Sequence, residues 1–180
     1  MADRAVARPT GPTRDPEAET TGSHRSPLAA ESVGFLLSQL GSAGSRGFAE
    51  ELAPLGIEPR QFAMLRYVGA GEGQSQQALG SALHIPASRM VAMVDELEDR
   101  GLLERRQNPG DRRSHALFLT GKGHKLLAKA FAVASAHEAT VCASLTGAER
   151  SQLLHLLQKV GATLEVTAGV HPELIAPERH

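Results

Sequence analysis

The most constraining stretch of this chain is ASRMVAMVDELEDRG. Met90, Val94 and Leu97 fall at i, i+4 and i+7, the spacing that lines one side of a helix with apolar side chains. Gly101 stands where a helix end calls for a residue tolerant of left-handed backbone. The spacing predicts a helix over 87–100. Just upstream, Ser75 can cap a short helix, QQALGSAL, with Ala78, Leu79 and Ala82 or Leu83 facing inward, and the turn LHIP joins the two. Downstream, LLERRQ and SHALFLT flank NPGDRR, whose Asn, Pro and Gly reverse a chain, so a β-hairpin follows. Short helix, tight turn, helix and twisted hairpin in that order make a winged helix-turn-helix, in which one helix braces another across a nucleic-acid backbone.

Four further helices surround this unit. Apolar residues at Leu28, Val33, Leu36, Leu37, Leu40, Phe48 and Leu52 predict one over about 28–53, weakened by Gly34, Gly41, Gly44 and Gly47. Pro59 suits the first turn of a second, in which Phe62, Leu65 and Val68 or Tyr67 repeat before Gly69. Thr120 opens a long helix reaching about Ala143, with Leu126, Leu127, Ala130, Val133, Ala134 and Val141 on its apolar side. Thr146 and Glu149 form a capping-box pattern ahead of Leu153, Leu154, Leu156, Leu157, Val160 and Leu164. The fold class is therefore mainly α with a small β-hairpin wing, a lobe over about 57–120 lying between N- and C-terminal helices over about 28–53 and 120–166. Residues 1–27, with Pro9, Pro12, Pro16 and Pro27 among polar residues, are expected to be a disordered tail, and 167–180 a second tail.

Composition limits the partners. An aromatic share of 3% without tryptophan leaves Leu, Val and Ala to build the core, which suits helices. The formal net charge of -1 offers nucleic acid no global attraction, so DNA binding must rest on local clusters. A single cysteine, Cys142, excludes an intramolecular disulfide framework, and no run of eighteen apolar residues occurs, so a cytoplasmic protein without a membrane span is expected.

The clusters are at the lobe. On the predicted reading helix, Ala87, Ser88, Arg89, Ala92 and Glu96 are left on the outer face, and its far half carries Asp95, Glu96, Glu98 and Asp99, which phosphate would repel. The Arg89 end should therefore approach DNA, with Arg89 able to bind guanine O6 and N7 and Ser88 a phosphate or a base. Arg105, Arg106, Arg112 and Arg113 gather around the hairpin against Glu104 and Asp111; an arginine there suits a narrow minor groove, with Asp111 pinning Arg113. Ser75 and Gln76 complete the expected DNA-binding set of Ala87, Ser88, Arg89, Ala92, Arg106, Asp111, Arg112 and Arg113.

The run LGSALHIPASRMVAMVDELEDRGLLERRQNPGDRRSHALFLTGKG resembles the helix-turn-helix and wing of the MarR family of bacterial regulators, above all in VDELEDRGLLERR and the Asp-x-Arg pair at Asp111 and Arg113, followed by Leu119, Thr120 and Gly123. The resemblance spans about Leu28 to Val166. It implies a homodimer with interlocking first and last helices, lobes on successive major grooves of a pseudo-palindrome, and repression relieved by an effector. By position it carries Ser88, Arg89 and Ala92 onto base-contact sites and Asp111 and Arg113 onto the wing pair. The apolar Pro86, Ala87, Val91 and Ala92 depart from the family's polar helix and leave few side chains to read bases.

Phe35, Gln39, Phe62, Arg66 and His124 are candidates to line a pocket for a small anionic aromatic effector. Cys142 falls late in the long helix, away from the first-helix position of redox-sensing relatives, and reads as a small buried hydrophobe. The histidines form no i, i+4 pair, so neither a metal site within one chain nor a cofactor is expected. No nucleophile elbow or phosphate-binding loop occurs, so an enzyme is not expected; the competing reading is a winged fold that binds another protein through its reading helix.

Overall fold

The computed structural model describes residues 32–108, 111–164 and 166, except for the side chains at 108 and 111–114. Contacts divide the chain after Leu36. Of the first unit only 32–36 are described, a single helical turn in which the Leu36 N–H donates to Ser32 O at 3.0 Å. The expected tails at 1–27 and 167–180 lie outside the described residues.

Helix α1 runs Val33–Leu52, followed by a 3-10 turn at Ala53–Leu55. Then come α2 (Pro59–Ala70), α3 (Gln76–Ala82), α4 (Ala87–Asp99), the antiparallel strands β1 (Leu103–Asn108) and β2 (Asp111–Leu119), α5 (Gly121–Val141) and α6 (Gly147–Thr163). The fold is the one expected, mainly helical with one hairpin. Four glycines do not break α1, which runs unbroken for 20 residues. The hairpin is longer than the sequence suggested, because β2 begins at Asp111 rather than beyond the arginines. Its register slips between Gln107, opposite His115, and Asn108, opposite Asp111, so residues 112–114 fall in a bulge.

Local chemistry sets the element ends. Pro59 opens α2, and Ser75 Oγ accepts from the Ala78 N–H at 3.0 Å to cap α3. At the end of α4, Gly101 takes φ +64°, its N–H donating to Glu98 O at 2.8 Å and that of Leu102 to Leu97 O at 2.9 Å, the paired bonds of a Schellman stop. The turn after α3 uses the same device with a non-glycine: His84 has φ +55°, and the Ile85 N–H reaches Gly80 O at 2.9 Å. Thr120 Oγ1 caps α5 through the Gly123 N–H at 3.0 Å, and Thr146 caps α6 in a full capping box with Glu149.

The core gathers residues of α2, α3, α4 and the hairpin, joined by Leu52 of α1 and by α5. Met90, Val94 and Leu97 of α4 are buried as expected, together with Met93, and they meet Leu65 and Val68 of α2 and Leu102, Leu103, Leu117 and Leu119 around the hairpin. In α3 the inward face is Leu79, Gly80 and the following Leu83; Ala78 and Ala82 are exposed, correcting the expected set. The helix is only 7 residues long, and the turn at His84 rotates Leu83 rather than Ala82 into the core. In α5 Leu127 and Ala130 are buried, whereas Val141 is 58% exposed. Nothing in α6 is buried: Leu153, Leu154, Leu156 and Leu157 are each at least 40% exposed. Cys142 is half-buried, its thiol 3.7 Å from Glu138 Oε1, and so is not the fully buried hydrophobe expected.

Candidate nucleic-acid interface

The N-terminal end of α4 is open. Ala87, Ser88 and Ala92 are exposed, Val91 is exposed beside them and Arg89 is half-buried. The first turn of this helix holds no acidic residue and no side chain caps it, so the positive end of its dipole lies on an exposed surface, a setting that favours phosphate. Between this end and α3 lies a groove of about 850 Å³, bordered by Ser75, Gln76, Ser81, His84, Ala87 and, from the hairpin, His115. Ser75 and Gln76, expected near DNA, are thus brought beside Ala87.

The hairpin is fastened to this unit from two sides. The loop before α3 pairs with β2: the Gly73 N–H donates to Leu117 O and the Leu117 N–H to Gln74 O, each at 2.9 Å, and Ser75 bridges to Ala116. On the other side Arg105 reaches from β1 across α4. Its guanidinium binds Asp95 at 2.5 Å and Glu98, and its Nε donates to Gln76 Oε1 at 3.2 Å. Partial burial pulls the Arg105 pKa down, but the hydrogen bonds and charges of Asp95 and Glu98 outweigh it and the net shift is upward. One side chain therefore ties α3, α4 and β1 together.

The acids of α4 are therefore less bare than the sequence suggests. Asp95 and Glu98 are paired with Arg105, and Glu96, expected on the outer face, accepts from Gln61 Nε2 of α2. Three of the four acids on the far half of α4, Asp95, Glu96 and Glu98, are thus engaged by side chains of neighbouring elements. Arg105 is accordingly a brace and not part of a free basic cluster. Arg106 is exposed on β1, held by Glu104 and lying over the Phe118 ring at 4.3 Å. Asp111, Arg112 and Arg113 follow the turn on β2 and in its bulge; their side chains, and so the expected pinning of Arg113 by Asp111, lie outside the described residues.

The expected effector residues fall in different surroundings. Phe35 is 43% exposed and belongs to the N-terminal unit, and Gln39 is exposed. Phe62 is buried among Phe48 and Phe131 in edge-on contacts at 5.7 and 5.5 Å. The Arg66 guanidinium lies 4.9 Å from the Tyr67 ring, and His124 Nε2 lies 3.1 Å from Glu72, whose carboxylate also accepts the Leu119 N–H. None of the five borders the groove at α3 and α4.

Two polar residues were missed. Gln61, 5% exposed, accepts from the Glu58 N–H at 2.9 Å and from Arg100 at 3.1 Å while donating to Glu96. The signal was the Glu-x-x-Gln spacing around Pro59, a capping box read only as a proline at a first turn. Arg100 also donates to Gly56 O at 2.6 Å, binding the end of α4 to the turn after α1.

A bracing helix, a reading helix and a hairpin tied to both define a winged helix-turn-helix protein of the DNA-binding kind. The sequence profile of the MarR family matches residues 55–114. A Thauera aromatica protein named as a putative transcriptional regulatory protein for the hcr operon is 33% identical over 132 residues, covering 73% of this chain and 80% of that one. Among solved structures, the transcriptional repressor CouR bound to a 23-mer DNA duplex is 34% identical with TM-score 0.68, covering 75% of this chain and 96% of that one. The Mycobacterium tuberculosis MarR family protein Rv2887, in complex with salicylic acid, is 29% identical with TM-score 0.58, covering 72% and 96%. The chain belongs to the MarR family of transcriptional regulators, DNA-binding proteins and not enzymes.

Proposed function

We propose that this protein is a homodimeric repressor that binds a pseudo-palindromic operator in the cytoplasm and is released by a small anionic aromatic effector. The observation that carries the DNA reading is the open, acid-free N-terminal end of α4, a helix that Arg105 ties to the hairpin through Asp95 and Glu98. In this reading Ser88, Arg89 and Ala92 face base edges, Ala87 meets thymine methyls, Ser75 and Gln76 approach the backbone, and Arg106, Asp111, Arg112 and Arg113 form the wing contact. The lobe over about 57–120 binds DNA, the helices over about 28–53 and 120–166 pair two chains, and 1–27 and 167–180 stay outside both tasks. The repressor bound to a DNA duplex supports the first part, and the salicylic acid complex of the mycobacterial relative supports the class of effector.

The test is to sequence genomic fragments retained by the purified protein and to titrate the recovered site by fluorescence anisotropy. A two-fold symmetric site bound by two chains, and weakened by salicylate, is the expected result. Retention of proteins but no specific DNA would instead favour a protein-binding role for α4.

A further inference from the structure

We propose that a second groove, at the opposite end of α4, binds a small organic polyanion with an apolar body. Leu55, Leu102 and Leu126 form its apolar lining, and Arg100, Lys122, Lys125 and Lys129 its charged one, around a volume of about 590 Å³. That volume suits a drug-sized molecule, and apolar walls with a few convergent charges are the usual make-up of such sites. No carboxylate is among the lining residues, although acidic residues slightly outnumber basic ones in the chain as a whole, 20 against 19.

Folding alone disfavours this arrangement. Lys122, Lys125 and Lys129 stand three and four residues apart on one side of α5, so like charges face each other, and Lys122 lies in the first turn, where the helix dipole is already positive. The bonds in the groove hold cations in place without neutralising them: Lys122 Nζ donates to Arg100 O at 2.7 Å, and Arg100 donates to the neutral Gly56 O and Gln61 Oε1. A bound anion would offset the repulsion, and four separated cations fit more than one negative charge. The 13 residues of α4 make it about 20 Å long, and Arg100 follows the end remote from Ala87. A duplex on the reading end therefore leaves this groove clear. His124, an expected effector residue, is held by Glu72 and is not among the lining residues.

Calorimetric titration of the full chain tests this with two probes, 2-naphthyl phosphate and inorganic phosphate, against the wild type and a Lys125→Gln, Lys129→Gln double variant. The naphthyl ester should bind the wild type at least tenfold tighter than inorganic phosphate does, and at least tenfold tighter than it binds the double variant, with affinity falling as salt rises. The melting temperature of the variant should be unchanged or higher, because repulsion has been removed. Equal affinity in both proteins, no binding, or equal affinity for both probes overturns the inference. So does a lower melting temperature of the variant, which would make the lysines structural, or a smaller salt slope on DNA, which would assign them to the duplex. Because the calorimetry needs no DNA, its outcome is independent of the repressor reading.

Discussion

Arg89 and Arg113 should fail differently when truncated. Arg89→Ala is expected to weaken the cognate operator by about 1–3 kcal/mol per half-site and flatten base preference at one symmetric position, with little change on nonspecific DNA. Arg113→Ala should weaken both kinds of DNA and lower the salt slope by about 1 per wing. Asp111→Ala should resemble a milder Arg113→Ala; tighter binding instead, with an inert Arg113→Ala, would remove the wing from the DNA in these titrations. Gly123 tests the fold itself. A Cβ there would stand 2.1 Å from the backbone oxygen of Leu102, so Gly123→Ala should cost about 1–3 kcal/mol, read from the denaturant midpoint, while Gly121→Ala, with open space, should not. Gly123 was legible as part of a sequence signature, but its reason was not. The close approach of α5 to the Leu102 carbonyl is a long-range fact that no local pattern encodes.

The hairpin and α6 carry the next two expectations. Arg105→Ala leaves Asp95 and Glu98, both partly exposed, without their partner and frees β1 from α3. Solvent screening limits the loss to about 1–2 kcal/mol. Faster amide exchange in β1 and β2, with the α2 amides unaffected, would locate it; uniform exchange would mean that the brace is idle. In α6, the hydrogen bond from the Thr146 backbone N–H, then that from its hydroxyl, hold the Glu149 carboxyl below the usual glutamate range. A depressed folded pKa gives stability that is full above the unfolded value and lost as pH falls through the folded one. Helicity of α6 should therefore fray on acidification below the usual carboxylate range, and Glu149→Ala should fray already at neutral pH, measured by exchange at Glu149 and Arg150. The elements themselves were legible because period and caps agreed at Ser75, Thr120, Thr146 and Gly101. The strand starting at Asp111 was not, since Asn, Pro, Gly and Asp read as a loop and only pairing with β1 extends the ladder. At the site, open Ala87 and Ser88 could be read from the buried stripe opposite, whereas the capture of Arg105 by acids ten and seven residues away could not.

Assembly is expected from what one chain leaves uncovered. Within the unit beginning at Leu37, Leu40, Leu153, Leu154, Leu156, Leu157 and Leu164 are all substantially exposed, more apolar side chain than a monomer of this size would keep in water without a partner. Stability should thus rise with protein concentration, and sedimentation should give a dimer at micromolar concentration. A folded monomer there would refute the dimer, and Leu153→Glu with Leu157→Glu should produce one. The Arg105 tie has a mechanical consequence for such a molecule. In the proposed reading, β1 and α4 act as the jaws of a calliper, and the Arg105 tie sets the gap between them before any duplex is met. If both jaws engage DNA as proposed, a site that does not fit the gap must yield, so flexible pyrimidine–purine steps between the two contacts should bind better than stiff A-tracts even where no side chain touches them. Loosening the jaws with Arg105→Ala should erase that preference before it erases binding.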